Sequence, residues 1–151
     1  MSIPQSGGGP IEHFDQLAEY LAEGCKPKEQ WRIGTEHEKF GYCKDSLLPL
    51  PYEGERSIRV MLEGLRDRHS WSPVEEGGKL IGLEKDGANV SLEPGGQLEL
   101  SGAPLETIHE TCDEVNTHLR EVKDVADEIG VGFIGLGAAP NWTHDQMDLM
   151  P

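Results

Sequence analysis

Apolar residues recur every three or four positions in some stretches and alternate with polar ones in others, and that contrast divides the chain into helices and strands. Ile11, Phe14, Leu17, Ala18 and Leu21 predict an amphipathic helix over residues 11–23, opened by Pro10 and stopped by Gly24. Ile58, Met61, Leu62 and Leu65 predict a second helix over 57–68. A third and longer one runs from Pro104 to about residue 129, where Ile108, Cys112, Val115, Leu119, Val122, Ala126 and Ile129 form one apolar stripe and Gly130 ends it. Between 105 and 129 eight acids stand against Arg120 and Lys123, which reads as a solvated outer face, with His109 and His118 on the surface.

Residues 31–42 (WRIGTEHEKFGY) are too interrupted for a helix and predict a strand. Segments 79–83 and 89–93 flank Asp86-Gly87, a strong hairpin signal, and a second reversal at Pro94-Gly95-Gly96 leads into 97–101. These three segments predict an antiparallel meander. Residues 131–136 predict another strand, and 137–151 a loop in which Met147 and Met150 belong either to the core or to a pocket wall. The fold class is α+β, an antiparallel sheet backed by helices. Residues 1–10, rich in glycine, read as a flexible arm and 11–151 as a single domain. No helix or strand follows residue 149 to close the sheet, so a piece of a longer protein is expected.

Charge narrows the possible partners. The 151 residues carry 13 Lys+Arg against 28 Asp+Glu, a net −15, which argues against a phosphate backbone or an anionic membrane surface. No stretch approaches the ~20 apolar residues of a membrane span, and the first ten residues have neither the basic nor the apolar region of a secretory signal. Cys25, Cys43 and Cys112 are odd in number and unpaired in spacing, which suggests small buried apolar residues in a reducing cytoplasm.

The acids also suggest chemistry. In a strand Glu36 and Glu38 share one face, while His37 and Lys39 point the other way. His37 therefore reads as a packed, hydrogen-bonded residue. In the meander, Val90, Leu92, Leu98 and Leu100 make an apolar face, leaving Ser91, Glu93, Gln97, Glu99 and Ser101 on the other. If the two segments are neighbours, four carboxylates converge on one sheet face. Carboxylate oxygens without thiolates select hard cations, Mg²⁺ or Mn²⁺, and four of them suit two or more ions bridging a polyphosphate. The competing interpretation is an ordinary wet sheet face. Against it stands the scarcity of Lys and Arg between the acids, which a face built for stability would interleave.

The segments Ile33-Gly34-Thr35-Glu36-His37-Glu38-Lys39-Phe40-Gly41 and Ser91-Leu92-Glu93-Pro94-Gly95-Gly96-Gln97-Leu98-Glu99-Leu100-Ser101-Gly102-Ala103-Pro104 resemble those of the plant-type glutamate–cysteine ligases (gamma-glutamylcysteine synthetases), which also occur in many proteobacteria. The resemblance implies part of a glutamine-synthetase-like catalytic domain. It implies ATP-dependent ligation of L-glutamate, through its γ-carboxylate, to L-cysteine by way of an acyl phosphate, the first step of glutathione synthesis. It assigns Glu36, Glu38, Glu93 and Glu99 to Mg²⁺ (or Mn²⁺) and places Gln97 among them at the ATP. It also implies a longer protein with a basic, aromatic segment after residue 151, without which the chain alone is expected to be inactive. Alternatives are a related carboxylate–amine ligase, of the ergothioneine branch or with another amine acceptor, and a non-catalytic acidic domain that binds divalent cations or a protein partner. Nothing in the cysteine spacing predicts disulfide control.

Overall fold

A hairpin turn and a capped helix show how directly this sequence makes its elements. Asp86 and Gly87 both take positive φ, 52° and 85°, the turn whose twist matches the strands it joins. Ser57, in extended backbone, accepts a hydrogen bond from the Val60 amide and so caps the helix that follows. The computed structural model describes residues 9–139 and 141–151. Among them are α1 (Asp15–Glu23), β1 (Glu36–Cys43), α2 (Ile58–His69), β2 (Ser72–Glu76), β3 (Lys79–Lys85), β4 (Ala88–Glu93), β5 (Gln97–Ser101), α3 (Ile108–Ile129) and β6 (Val131–Ile134).

The strands form one six-stranded sheet in the order β2-β3-β4-β5-β1-β6. Every pairing is antiparallel. The α+β expectation holds, and the meander of β3, β4 and β5 lies where the pattern places it. β1 is shared between two neighbours: residues 36–39 pair with β5 and residues 40–43 with β6.

Helices α2 and α3 cover one face. From α2 come Ile58, Met61, Leu62 and Leu65, each wholly buried. They pack with Leu83, Val90, Leu98 and Leu100 of the sheet and with Val122, Val125 and Ala126 of α3. Burying each large side chain contributes ~1.5–3 kcal/mol. The two helices cross closely at Gly64, where a β-carbon would collide with Val125.

Several expectations are corrected. β1 starts at Glu36 rather than at residue 31, and Ile33 instead forms an isolated bridge with Leu105. β2 is an additional strand, turned into β3 through Gly77-Gly78. α1 begins at Asp15 and buries no residue. α3 begins four residues beyond Pro104, because Thr107 and Glu110 form a reciprocal capping box that sets its start. The predicted stripe holds in part: Val122 and Ala126 are buried and Val115 and Ile129 pack against the core, but Ile108, Cys112 and Leu119 are exposed, and Thr111, His118, Glu121 and Val125 are buried in addition. Of the predicted arm over residues 1–10, residues 1–8 lie outside the described residues, and Gly9 and Pro10 are exposed.

Candidate functional site

The register of β1 against β5 decides which acids meet. Glu38 lies opposite Glu99, and Glu36 lies opposite Ser101. On the other side of β5, Ser91 lies opposite Glu99, and Glu93 opposite Gln97. Directly opposed residues share a face. Glu36, Glu38, Ser91, Glu93, Gln97, Glu99 and Ser101 therefore occupy one surface, on the side of the sheet away from α2 and α3. The condition on which four carboxylates would converge, that these two segments be neighbours, is met.

Burial grades across this surface. Glu36 and Glu38 are exposed, Glu93 and Gln97 are half-buried, and Glu99 is only 3% exposed. The Ser91 hydroxyl donates to Glu99 Oε2 at 3.1 Å and orients that carboxylate. Residues after β6 fold back onto the same face. Trp142 meets the Phe40 ring edge-on at 5.6 Å, and its indole N–H donates to the Leu47 carbonyl at 2.8 Å. Met147 and Met150 line a cavity of about 490 Å³ beside Glu93 and Pro94, and Met150 also packs against the core.

Whether these groups fit a divalent cation can be judged from their donors. All are oxygen ligands, and among the described residues no cation pairs with Glu36 or Glu38. Two carboxylates set directly opposite each other repel, and a bound cation removes that repulsion. Among the described residues no three His, Cys, Asp or Glu side chains form a ready-made metal site. The acids make a row rather than a cage, which suits several ions along a polyphosphate, each keeping part of its water shell.

The opposite side of β1 carries the groups that pattern alone placed less well. His37 is half-buried, as expected of a packed residue, and its Nδ1 lies 3.0 Å from Lys39 Nζ. Burial, and secondarily the Lys39 charge, lower its pKa. Lys39 is 2% exposed; its ammonium donates to the His37 carbonyl at 2.8 Å, and desolvation brings its pKa down to about 8.

His118 corrects the surface assignment: it is 2% exposed, and neither ring nitrogen has a partner among the described residues. Burial, then the Lys39 and His37 charges, hold its pKa down to about 3. Glu114 and Glu121 also leave the supposed solvated face of α3. Glu121 accepts from the Trp71 indole at 2.7 Å and from Lys85 at 3.0 Å, and Glu114 accepts from the Ala103 amide at 2.8 Å. The cysteines are corrected too: Cys25 and Cys112 are exposed. Cys43 is half-buried, and the Arg56 guanidinium donating to its sulfur, with further hydrogen bonds at Asp45 and Ser46, brings its thiol down to about 7.

Comparison with known proteins supplies what geometry cannot. The family model for glutamate-cysteine ligase family 2 (GCS2) matches residues 32–151. The chain belongs to glutamate-cysteine ligase family 2. A chloroplastic glutamate–cysteine ligase of Medicago truncatula is 54% identical over 135 residues, covering 89% of this chain and 26% of that protein. Glutamate–cysteine ligase B, chloroplastic, of Oryza sativa subsp. japonica is 53% identical over 142 residues, covering 94% of this chain and 28% of its own length. The chloroplastic enzyme of Arabidopsis thaliana is 52% identical over 142 residues, covering 94% and 26%. The chain thus spans about a quarter of the length of these family members. Their names also overturn the cytoplasmic expectation, which rested on unpaired cysteines. Reduced thiols indicate a reducing compartment without saying which one.

Proposed function

We propose that this chain contributes the acidic sheet face of an ATP-dependent glutamate–cysteine ligase. The reaction transfers the terminal phosphoryl group of ATP to the γ-carboxylate of L-glutamate, releasing ADP. The amine of L-cysteine then attacks the activated acyl carbon, forming the amide as phosphate leaves. The observation that carries the proposal is the register of β1 against β5, which sets Glu38 directly against Glu99, with Glu36 and Glu93 on the same face.

Glu36, Glu38, Glu93 and Glu99 are the groups to hold Mg²⁺, with Mn²⁺ an acceptable substitute. Bound there, the ions would supply charge neutralisation for a polyphosphate during in-line transfer. Ser91, by donating to Glu99, fixes the carboxylate that has least freedom to move. Glu36 and Glu38 stand exposed and free to turn toward an arriving metal–nucleotide. Gln97, opposite Glu93, offers an uncharged amide to the nucleotide without adding to the repulsion. No protein nucleophile is required, in keeping with a face whose chain-derived groups are carboxylates, an amide and hydroxyls.

The test uses the protein extended to the length of its relatives and measures ADP release in the presence of glutamate, cysteine and Mg²⁺. Glu38→Gln and Glu99→Gln should each lower turnover by on the order of 10²-fold or more, the usual scale for losing one preorganised electrostatic group. Wild-type turnover in both variants would remove the metal assignment. ADP release that responds to a different amine but not to cysteine would remove the substrate assignment.

A further inference from the structure

Behind the acidic row, between α3 and the β1–β6 pair, lies a cavity of about 600 Å³ whose wall contains Lys39, Lys44, Lys123 and His37. In a chain of net charge −15 its three lysines are a concentrated patch of positive charge. Among the described residues Asp127 is the one acid in its wall, and it is already shared: it accepts from Lys44 at 2.8 Å and from Lys123 at 2.6 Å.

Lys39 is the second observation. It is 2% exposed, yet its two partners, the His37 carbonyl and Nδ1, are uncharged, and among the described residues no carboxylate lies within ion-pair distance of it. Among the described residues the only charge that favours its ammonium is Glu99, reached through the sheet without direct contact. A buried cation so weakly compensated is costly, and an ammonium has three hydrogens to place. An anion entering the cavity would supply both the counter-charge and an acceptor.

The composition of the wall narrows the class of anion. The cations are lysines, point charges well suited to a doubly charged phosphate, without the arginine fork that pairs with planar carboxylates. The remaining wall includes Leu119, Val122 and Phe133, an apolar bed larger than a bare phosphate would fill. We propose that this cavity is a second binding site, for a small phosphate monoester whose phosphate meets Lys39, Lys44 and Lys123 and whose organic body lies against α3. The site lies on the other side of β1 from the acidic face, and the Lys39 charge is coupled to that face through Glu99.

Phenyl phosphate is the probe, titrated by calorimetry against the chain at constant ionic strength, with benzoate and inorganic phosphate as comparison ligands. Saturable binding is expected, with phenyl phosphate tighter than either comparison ligand. Lys39→Met should weaken it by on the order of tenfold, as loss of one charge-assisted contact does. Because Lys39→Met places an uncharged group in a packed site, exposed Lys123→Ala provides a parallel variant with the same expected direction. Asp127→Asn should tighten binding by about three- to tenfold, because it releases two ammonium groups from their competing carboxylate. A merely structural cluster would show no such gain. Absence of saturable binding, or equal affinity in wild type, Lys123→Ala and Asp127→Asn, would overturn the proposal.

Discussion

His118 allows a quantitative test of the packing on α3. The imidazole is buried beneath the sheet, its ring meeting Trp71 edge-on at 6.4 Å, and no hydrogen-bond partner among the described residues is available to stabilise a charged form. Its pKa falls from 6.5 to about 3, first because of burial and then because Lys39 and His37 stand near. Above pH 6.5 the folded and unfolded chains hold this ring in the same neutral state, and it contributes no pH dependence. Below 6.5 the unfolded chain takes up a proton that the folded chain refuses, so stability is lost as pH falls from about 6.5 toward 3. The slope for one such group is about 1.4 kcal/mol per pH unit, or roughly 2 kcal/mol between pH 7 and pH 5. For a chain of this size that corresponds to a Tm lower by roughly 4–8 °C. The assay is thermal unfolding of the wild type and His118→Leu at half-unit pH steps. Carboxylates elsewhere titrate in both proteins, so the difference between the two curves isolates His118. The leucine variant should be flatter below pH 6.5, whatever its absolute stability. Parallel curves would falsify the assignment of a buried, neutral imidazole.

Other consequences are simpler. Mg²⁺ should raise the Tm of the wild type, since a ligand held by the folded state alone stabilises it; the rise should shrink in Glu38→Gln, and an identical rise in both would count against this face. Gly64→Ala should destabilise the chain by about 1–3 kcal/mol in denaturant titrations, because the added methyl meets Val125 at the α2–α3 crossing. Glu121→Ala should cost about 1–3 kcal/mol by leaving the buried Trp71 indole and Lys85 without their acceptor, and a shift in tryptophan emission should accompany it. If neither stability nor emission changes, the Trp71–Glu121–Lys85 contact is not the one described here.

Strand alternation, turn residues and capping were legible in the linear chain because each is a local property. Asp86-Gly87 made a hairpin regardless of its surroundings, and alternation alone separated Leu98 and Leu100 from Gln97 and Glu99 and put Lys39 on the side away from Glu38. β2 was less legible because Pro73 and four exposed positions hide an edge strand's pattern, though Gly77-Gly78 just before the strand segment 79–83 was a usable sign of its hairpin. The start of α3 was equally local: Thr107 with Glu110 three residues on is a capping signal, and it outweighs Pro104.

What lay beyond the sequence is of another kind. Four glutamates on two separated segments were a candidate ligand set only on condition that the segments pair. The β1–β5 register meets that condition by laying Glu38 against Glu99, and a shift of one residue would have turned every acid to the other face. The helix likewise offered two adjacent stripes. Periodicity placed Val122 and Ala126 correctly but also favoured Ile108 and Leu119, whereas α2 and the sheet bury His118 and Glu121, because those side chains sit beside Trp71, Lys85 and Lys39 rather than in water. Local chemistry therefore determined the elements and their two-faced character. The tertiary structure alone decided which polar groups lost their water, since desolvation depends on neighbours that arrive from distant parts of the chain.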